Sequence, residues 1–490
     1  MQQEMTFDEK IKYYFKDLVV DKSQSLSFFN TLSLPSYIRD WFVKKFQDKN
    51  GQLNLTFIQS KINELIPRKD TWPLMLETLM NQQKEIRILG KITVVTDVSK
   101  NTYKFEMLDV GLKSSETVIL SDVVTKHKQL LLSGKHDIWG VLTLVYDNVG
   151  TEKKPIYKII LKEFVDFRPY SVDIKYYIEA RKQFSLEEWT DVLLTAVDYN
   201  PDGFSSEEEK HMFLRRLLSF VEKRLNLIEF APKGTGKSYM FSQISKYGWI
   251  NSGGLVTRAK LFYDMSKKTE GLLANYDFVC LDEISNTQFA QLPEIQASLK
   301  GYLENGKYTV GSKYGTSDAG LVILGNIDQQ SMDSDSYFME NMITKEDQQF
   351  FNESALLDRF HGFIEGWKIN RMTENKKIHS LGLNTEYFSE ILHILRNDMR
   401  YQAVIQSLIE IPNDADTRDT QAIIKLMSSF MKLYFPHWTS KEEVDLELFN
   451  VYCLKPAKHM RHLIKTQLGY MDEEFNNKKI PDIKLKEVEI

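Results

Sequence analysis

Three short polar stretches in the middle of the chain carry residue types that chemistry on a phosphoryl group requires. The first is Lys233-Gly234-Thr235-Gly236-Lys237-Ser238-Tyr239, which follows the apolar run Asn226–Phe230 and leads into Met240, Phe241 and Ile244. Phosphate oxygens are best held by unpaired backbone N–H groups at a helix start, where the helix dipole adds to the attraction. Gly234 and Gly236 allow the tight curl that aims those groups inward. Lys237 is then expected to reach the β- and γ-phosphates and Ser238 to ligate Mg²⁺, with ATP and Mg²⁺ as the cofactors. Ala231 stands where such loops usually carry their first glycine, which calls the tightness of the loop into question.

The second stretch ends the apolar run Asp277–Leu281 in two carboxylates, Asp282 and Glu283. Asp282 is expected to hold Mg²⁺ through its water shell, and Glu283 to polarise the attacking water. Two adjacent acids at a strand end also make an ordinary helix cap; the phosphate loop upstream decides for the catalytic reading. The third is Leu321–Asn326, where Asn326 is expected to orient water against the γ-phosphate. Beyond it lies Leu356-Leu357-Asp358-Arg359-Phe360-His361. Arg359 is either one half of an ion pair at a helix end or a finger donated to a neighbouring subunit's γ-phosphate.

These residues need a frame. From Leu227 to about Trp367, apolar strands alternate with helical stretches, which predicts an α/β domain. Upstream, Phe7, Ile11, Tyr14, Phe15 and Leu18 recur at helical spacing, and Leu34-Pro35 opens a second helix. Residues 86–168 are instead rich in Val, Ile, Tyr and Phe, with five strand-like runs separated by turns, among them 97–101. Either a five-stranded barrel of the OB type or a generic antiparallel sheet fits that pattern. Ser185-Leu186-Glu187-Glu188 is a capping box. The expected boundaries are a helical domain over 1–82, a β-rich domain over 83–170, a P-loop core over 171–375, a helical lid over 376–475 and a loose charged tail over 476–490. In Lys300–Gly315, Asn305-Gly306 suggests the turn of a hairpin. Lys307, Lys313 and Tyr314 would then meet a DNA backbone, unless the segment is merely a glycine-rich loop. Arg461 is either a second nucleotide-sensing arginine or part of a solvated basic face.

The net charge of −5 gives no overall hint of nucleic acid, yet a local basic channel remains compatible with it. Two cysteines in 490 residues cannot form a disulfide framework, which points to a reducing cytoplasm. The N-terminus has no apolar signal core, and no apolar run approaches the roughly 20 residues of a membrane span.

Taken in order, the phosphate loop, the Asp-Glu strand, the Asn strand, Leu-Asp-Arg-Phe and the helical lid resemble an AAA+ ATPase. Gly234–Ser238, Ser252-Gly253-Gly254, Ala259–Tyr263, Leu356–His361 and Gly366-Trp367 together resemble the BrxL family, the Lon-like AAA+ component of BREX phage-defence systems. Phe184–Trp189 and Leu217–Glu229 also resemble it. The resemblance covers about residues 7–475. It implies an α/β AAA+ core similar to that of MCM helicases, an arginine acting between subunits, an OB-like domain, and DNA binding, double-stranded in the first instance. It also implies a homo-oligomeric ring, hexameric or heptameric, single or stacked, and other BREX components as partners. Members of the family continue into a Lon-type protease domain with a Ser–Lys dyad. Nothing here resembles its serine loop, so no proteolysis is expected. Against a DNA motor stand two other classes, a protein-remodelling ATPase gripping peptide through Tyr302 or Tyr308 and a scaffold that binds ATP only to order its ring.

Overall fold

The structure is a computed structural model that describes residues 5–23, 34–48, 52–97, 100–132, 138–168, 170, 172–266, 268–327 and 349–486. The turn expected over 97–101 and the end of the expected tail lie partly outside these residues. The chain divides into two compact units, Met1–Lys44 with Val172–Ile490, and Lys45–Ser171.

The larger unit is built on five parallel strands in the order Gly362–Glu365, Leu227–Ala231, Gly320–Asn326, Phe278–Phe289 and Gly248–Val256. Both faces of such a sheet are covered, so its strands read as continuous apolar runs rather than alternating ones. Leu227–Ala231 is buried at every position, and Gly320–Asn326 at all but the last. Ile228, Val279, Leu281, Leu321 and Ile323 form one core with Ile295 and Leu299 of the helix Leu292–Asn305 and with Leu463 and Ile464 of the helix Lys455–Met471. Gly362 leaves room for Met460, whose Cβ and Cε would each lie 3.0 Å from a Cβ placed there. After the sheet the chain is mainly helical, with Thr385–Arg396, Arg400–Leu408 and Thr417–Tyr434 preceding Lys455–Met471.

The separate helical domain expected over 1–82 is not what forms. Its first half packs into the larger unit. Phe15 stacks against Phe184 and Trp189, and Val19–Asp21 pairs antiparallel with Leu381–Leu383. The helix Ser36–Phe46 buries Arg39 and Asp40 there. Its second half belongs to the smaller unit, where Trp72 and Leu79 enter the core. Helical periodicity marks the apolar face of a helix but not the partner that covers it.

The smaller unit is a closed barrel of five strands, Ile86–Asp97, Thr102–Glu106, Thr117–Ile119, Ile138–Asn148 and Tyr157–Asp166. Numbered along the chain, they run 1-2-3-5-4 around the barrel, with only the third and fifth parallel. The helices Ser121–Lys126 and Lys128–Leu131 follow the third strand, and Val123, Val124 and Leu131 join the barrel core.

The tail is not loose over its described part. Ile483 is buried, and Lys484–Leu485 pairs antiparallel with Ile409–Glu410. Among the described residues, no helix is long and apolar enough to cross a membrane.

Candidate nucleotide site

The strand Leu227–Ala231 delivers the phosphate loop from inside the sheet, between Gly362–Glu365 and Gly320–Asn326. Its one charge, Glu229, is fully buried and accepts from Arg216 Nε at 3.0 Å and Nη2 at 2.6 Å. Arg216 Nη1 donates to the Thr235 carbonyl at 2.8 Å. One buried guanidinium therefore neutralises the strand and props the loop. Ala231 has ordinary strand geometry and packs against Gly366, whose added Cβ would come within 2.4 Å of the Ala231 methyl. The space a first glycine would leave is here supplied by Gly366 opposite.

Gly234 and Gly236 take φ of 81° and 78°, the left-handed region that favours glycine. At Gly236 space matters too, since a Cβ would meet the Tyr199 hydroxyl at 2.7 Å. The Met372 N–H donates to the Gly234 carbonyl at 2.8 Å and pins the loop from the far side. Thr235 is buried and donates to the Pro232 carbonyl at 3.2 Å, whereas Lys233 is exposed.

The helix Lys237–Gln243 starts at the loop and points two side chains at the neighbouring strand ends. Lys237 Nζ donates to Asn326 Oδ1 at 2.9 Å and to the Ala231 carbonyl at 3.0 Å. Burial lowers its pKa, against the pull of Glu229 and Asp282. Ser238 Oγ donates to Asp282 Oδ2 at 2.5 Å. Lys237, Ser238, Asp282 and Asn326 thus meet at the carboxyl ends of three adjacent strands, the place where open α/β sheets bind ligands.

Glu283 follows with φ of 52°, unusual for a residue with a side chain. Its N–H donates to Asp282 Oδ1 at 2.9 Å, and its Oε2 accepts from Asn286 Nδ2 at 3.3 Å. The strand register shifts between Asp282 and Thr287, so Glu283 leaves the ladder and stays more accessible than Asp282. Non-glycine residues held in this region cluster at functional sites.

A cavity of about 230 Å³ adjoins Gly236, lined among others by Tyr199, Tyr239, Met372 and Lys376. Its surface is mainly apolar, although Asp198, Thr373, Lys376 and Lys377 also line it, and it lies next to the phosphate loop. Tyr239 presents its ring here while its hydroxyl donates to Asp198 Oδ2 at 2.9 Å and lies 2.9 Å from Ser36 Oγ. Asp198 also accepts from Arg39 Nη2 at 2.6 Å and Lys22 Nζ at 2.9 Å. Burial alone would raise the Asp198 pKa; Arg39 and Lys22 outweigh it and hold the carboxyl well below its ordinary range. Sequence reasoning found Tyr239 but missed this cluster; Lys22 Nζ also donates to Thr385 Oγ1 at 3.0 Å, so its members are scattered from Lys22 to Thr385 and share no spacing.

Two arginines stand apart from the loop. Arg461 is fully buried, with Nε to Asp419 at 2.7 Å, Nη1 to the carbonyls of Asp358 and Phe360 at 3.0 and 2.6 Å, and Nη2 to Asp358 at 2.6 Å. Its donors are spent on fixing the turn before Gly362, so both the nucleotide-sensing reading and the solvated-face reading give way to a structural one. Arg359 lies on that same turn, partly exposed, bonded to the Ala355 carbonyl and 3.0 Å from Glu304 Oε2. Among the described residues, its side-chain bonds and ion pairs are with Ala355 and Glu304 and not with a loop residue.

The expected hairpin exists, with Lys307–Val310 antiparallel to Lys313–Thr316, but its turn is at Gly311, with φ of 57°. Asn305-Gly306 instead closes the helix Leu292–Asn305, with Gly306 at φ 76° donating to the Tyr302 carbonyl. An Asn-Gly pair suits a helix end as well as a hairpin turn, because both demand a left-handed residue. Lys307 and Tyr314 are exposed, while Lys313 lies 2.9 Å from Glu270 and over the Tyr263 ring. Tyr302 and Tyr308, the candidates for gripping peptide, are 1% and 4% exposed and cannot reach one.

Comparison with known proteins agrees with this geometry. A family model described as "Lon-like protease BrxL-like, ATPase domain" matches residues 159–481, and one described as "BREX system Lon protease-like protein BrxL N-terminal" matches residues 13–146. Two similar relatives are both named Lon-like protease BrxL. The one from Escherichia coli O9:H4 (strain HS) is 26% identical over 469 residues, 94% of this chain and 64% of the relative. The one from Bacillus cereus (strain H3081.97) is 26% identical over 486 residues, 97% of this chain and 70% of the relative. The chain thus spans about two thirds of the length of these relatives, and with its ATPase-domain match covering the whole nucleotide site, it belongs to the BrxL-like family.

Proposed function

We propose that this chain is an AAA+ ATPase that assembles into a ring, binds double-stranded DNA and uses ATP hydrolysis to translocate on or remodel it in BREX-type phage defence. The observation that carries the reading is the meeting of Lys237, Ser238, Asp282 and Asn326 beside a left-handed glycine loop. The loop N–H groups and Lys237 take the β- and γ-phosphates, exchanging the Asn326 contact for the ligand. Ser238 and Asp282, already in hydrogen-bond contact, supply oxygen ligands of the kind Mg²⁺ prefers. When bound, Mg²⁺ neutralises charge on the phosphates. Glu283, out of the ladder, takes the proton of the attacking water, and Asn326 orients that water. The helices over 385–471 act as the lid of this core.

Ring assembly is supported by Arg359, which is partly exposed and held by Glu304 and Ala355 rather than by the phosphate loop, as suits a finger acting on a neighbour. DNA binding is supported by the hairpin that exposes Lys307 and Tyr314, a cation for phosphate and a ring for stacking. The 1-2-3-5-4 barrel supports an OB-like reading of the smaller unit, a fold used for oligonucleotides.

The test is turnover of MgATP by the purified protein with and without linear duplex DNA at low salt. Lys237→Ala is expected to lose turnover, and Glu283→Gln to retain bound ATP without releasing phosphate. Wild-type turnover in either variant refutes the assignment of the site, and absence of DNA binding at low salt refutes the DNA part alone.

A further inference from the structure

The carboxylate of Glu304 joins two parts of the molecule that the proposed mechanism uses separately. Its Oε2 lies 3.0 Å from Arg359 Nε and accepts a hydrogen bond from Arg418 Nη2, also at 3.0 Å. Arg418 in turn pairs with Asp358, the residue before Arg359. Arg359 is otherwise held by the Ala355 carbonyl. Its Nε, though shielded from solvent, has no well-aligned hydrogen bond among the described residues. One carboxylate oxygen therefore stands between two guanidinium groups. Remove its charge and Arg359 loses this ion pair, while Arg418 keeps its pair with Asp358.

Glu304 also sits at the end of an element that leads elsewhere. It is in the last turn of the helix Leu292–Asn305, two residues before Gly306, and the hairpin strand Lys307–Val310 begins immediately after. The Gly306 N–H is tied to Tyr302, and the Gly306 carbonyl accepts from Ser317 just past the hairpin. The hairpin is thus joined to the helix end that carries Glu304 by a short, hydrogen-bonded link.

We propose that Glu304 is a positioning residue for Arg359: it parks the arginine against its own chain and gives it up when the hairpin is engaged. The inference rests on the reading of Arg359 as a finger for a neighbouring γ-phosphate. The chemistry suits a release. A partly exposed ion pair without a well-aligned hydrogen bond is weak, whereas a triphosphate offers a guanidinium several charged oxygens in a bidentate geometry. The parked contact is strong enough to bias the arginine and weak enough to be displaced.

The experiment compares steady-state ATP turnover of wild type, Glu304→Gln, Glu304→Ala and Arg359→Ala, each as the full assembled chain, with and without linear duplex DNA. Glu304→Gln is expected to raise turnover without DNA by up to about five-fold, the range a partly exposed pair can supply. Glu304→Ala is expected to match it, and any stimulation by DNA falls in both. Turnover without DNA at or below wild type in both Glu304 variants overturns the proposal. If Arg359→Ala turns over like wild type, the finger reading itself fails. If Arg359→Ala is inactive while the Glu304 variants behave as wild type, only the parking role fails. Should DNA not stimulate the wild type, release by the hairpin fails, yet the rates without DNA still decide whether Glu304 parks Arg359.

Discussion

At Arg216 a single side chain serves the strand and the phosphate loop together. Truncation to alanine leaves the Glu229 carboxylate buried and unpaired and the Thr235 carbonyl unsupported. Breaking a buried pair by removing one partner costs about 3–5 kcal/mol. Arg216→Ala is expected to lower the unfolding free energy by that order in urea denaturation, with nucleotide binding lost alongside. A second residue-scale prediction concerns pH. Glu209 accepts from Lys376 Nζ at 2.6 Å, and Lys376 lines the cavity beside Gly236. Burial pushes the Glu209 pKa up, but the bonds from Lys376, Ser205 and Asn370 outweigh it and lower the pKa from 4.5 to about 2. A depressed carboxyl contributes its full stability above the unfolded value and loses it as pH falls through the folded one. Thermal midpoints of wild type are therefore expected to fall more steeply than those of Glu209→Gln between about pH 4.5 and 2. Parallel curves would show that Glu209 contributes nothing to the acid limb.

Elements carry their own constraints. The strand Gly362–Glu365 pairs with the phosphate-loop strand, and Gly366 follows it where a side chain has no room. A Cβ there would meet the Ala231 methyl at 2.4 Å, Glu229 Oε1 at 2.8 Å and the Phe230 carbonyl at 2.8 Å. Overpacking of this kind costs about 1–3 kcal/mol. Gly366→Ala is expected to be destabilised by that amount in differential scanning fluorimetry. The double variant Ala231→Gly/Gly366→Ala should recover part of the loss, because one of the three contacts disappears and two remain. Full recovery would mean the methyl contact alone sets the spacing; no recovery would mean it is irrelevant.

At the scale of the whole molecule the prediction concerns assembly. If Arg359 acts on a neighbour's nucleotide, Arg359→Ala and Lys237→Ala subunits complement one another. A mixed assembly contains interfaces that pair an intact loop with an intact arginine. Mixing two inactive variants is expected to restore a fraction of wild-type turnover, measured as phosphate release at a fixed total concentration. Persistent inactivity at every ratio would place the action of Arg359 within one chain.

The sequence by itself determined the nucleotide loop, the Asp-Glu and Asn strands and the five barrel strands, because each is a local pattern. A glycine loop needs its φ angles, and a strand covered on both faces needs an unbroken apolar run. The order of those motifs along the chain also carried the family. Tertiary structure alone decided which side chains meet. It tied Phe15, Lys22 and Arg39 to the ATPase unit instead of a separate helical domain, spent Arg461 on Asp358 and Asp419, and moved the hairpin turn from Asn305-Gly306 to Gly311. It also placed Asp198 against Tyr239, and Glu304 between Arg359 and Arg418. For the charged residues among these the physical reason is shared. Burying a charge is tolerable only when a partner neutralises it, and that partner can come from anywhere in the chain. Spacing along the sequence records the first need and says nothing about which residue meets it.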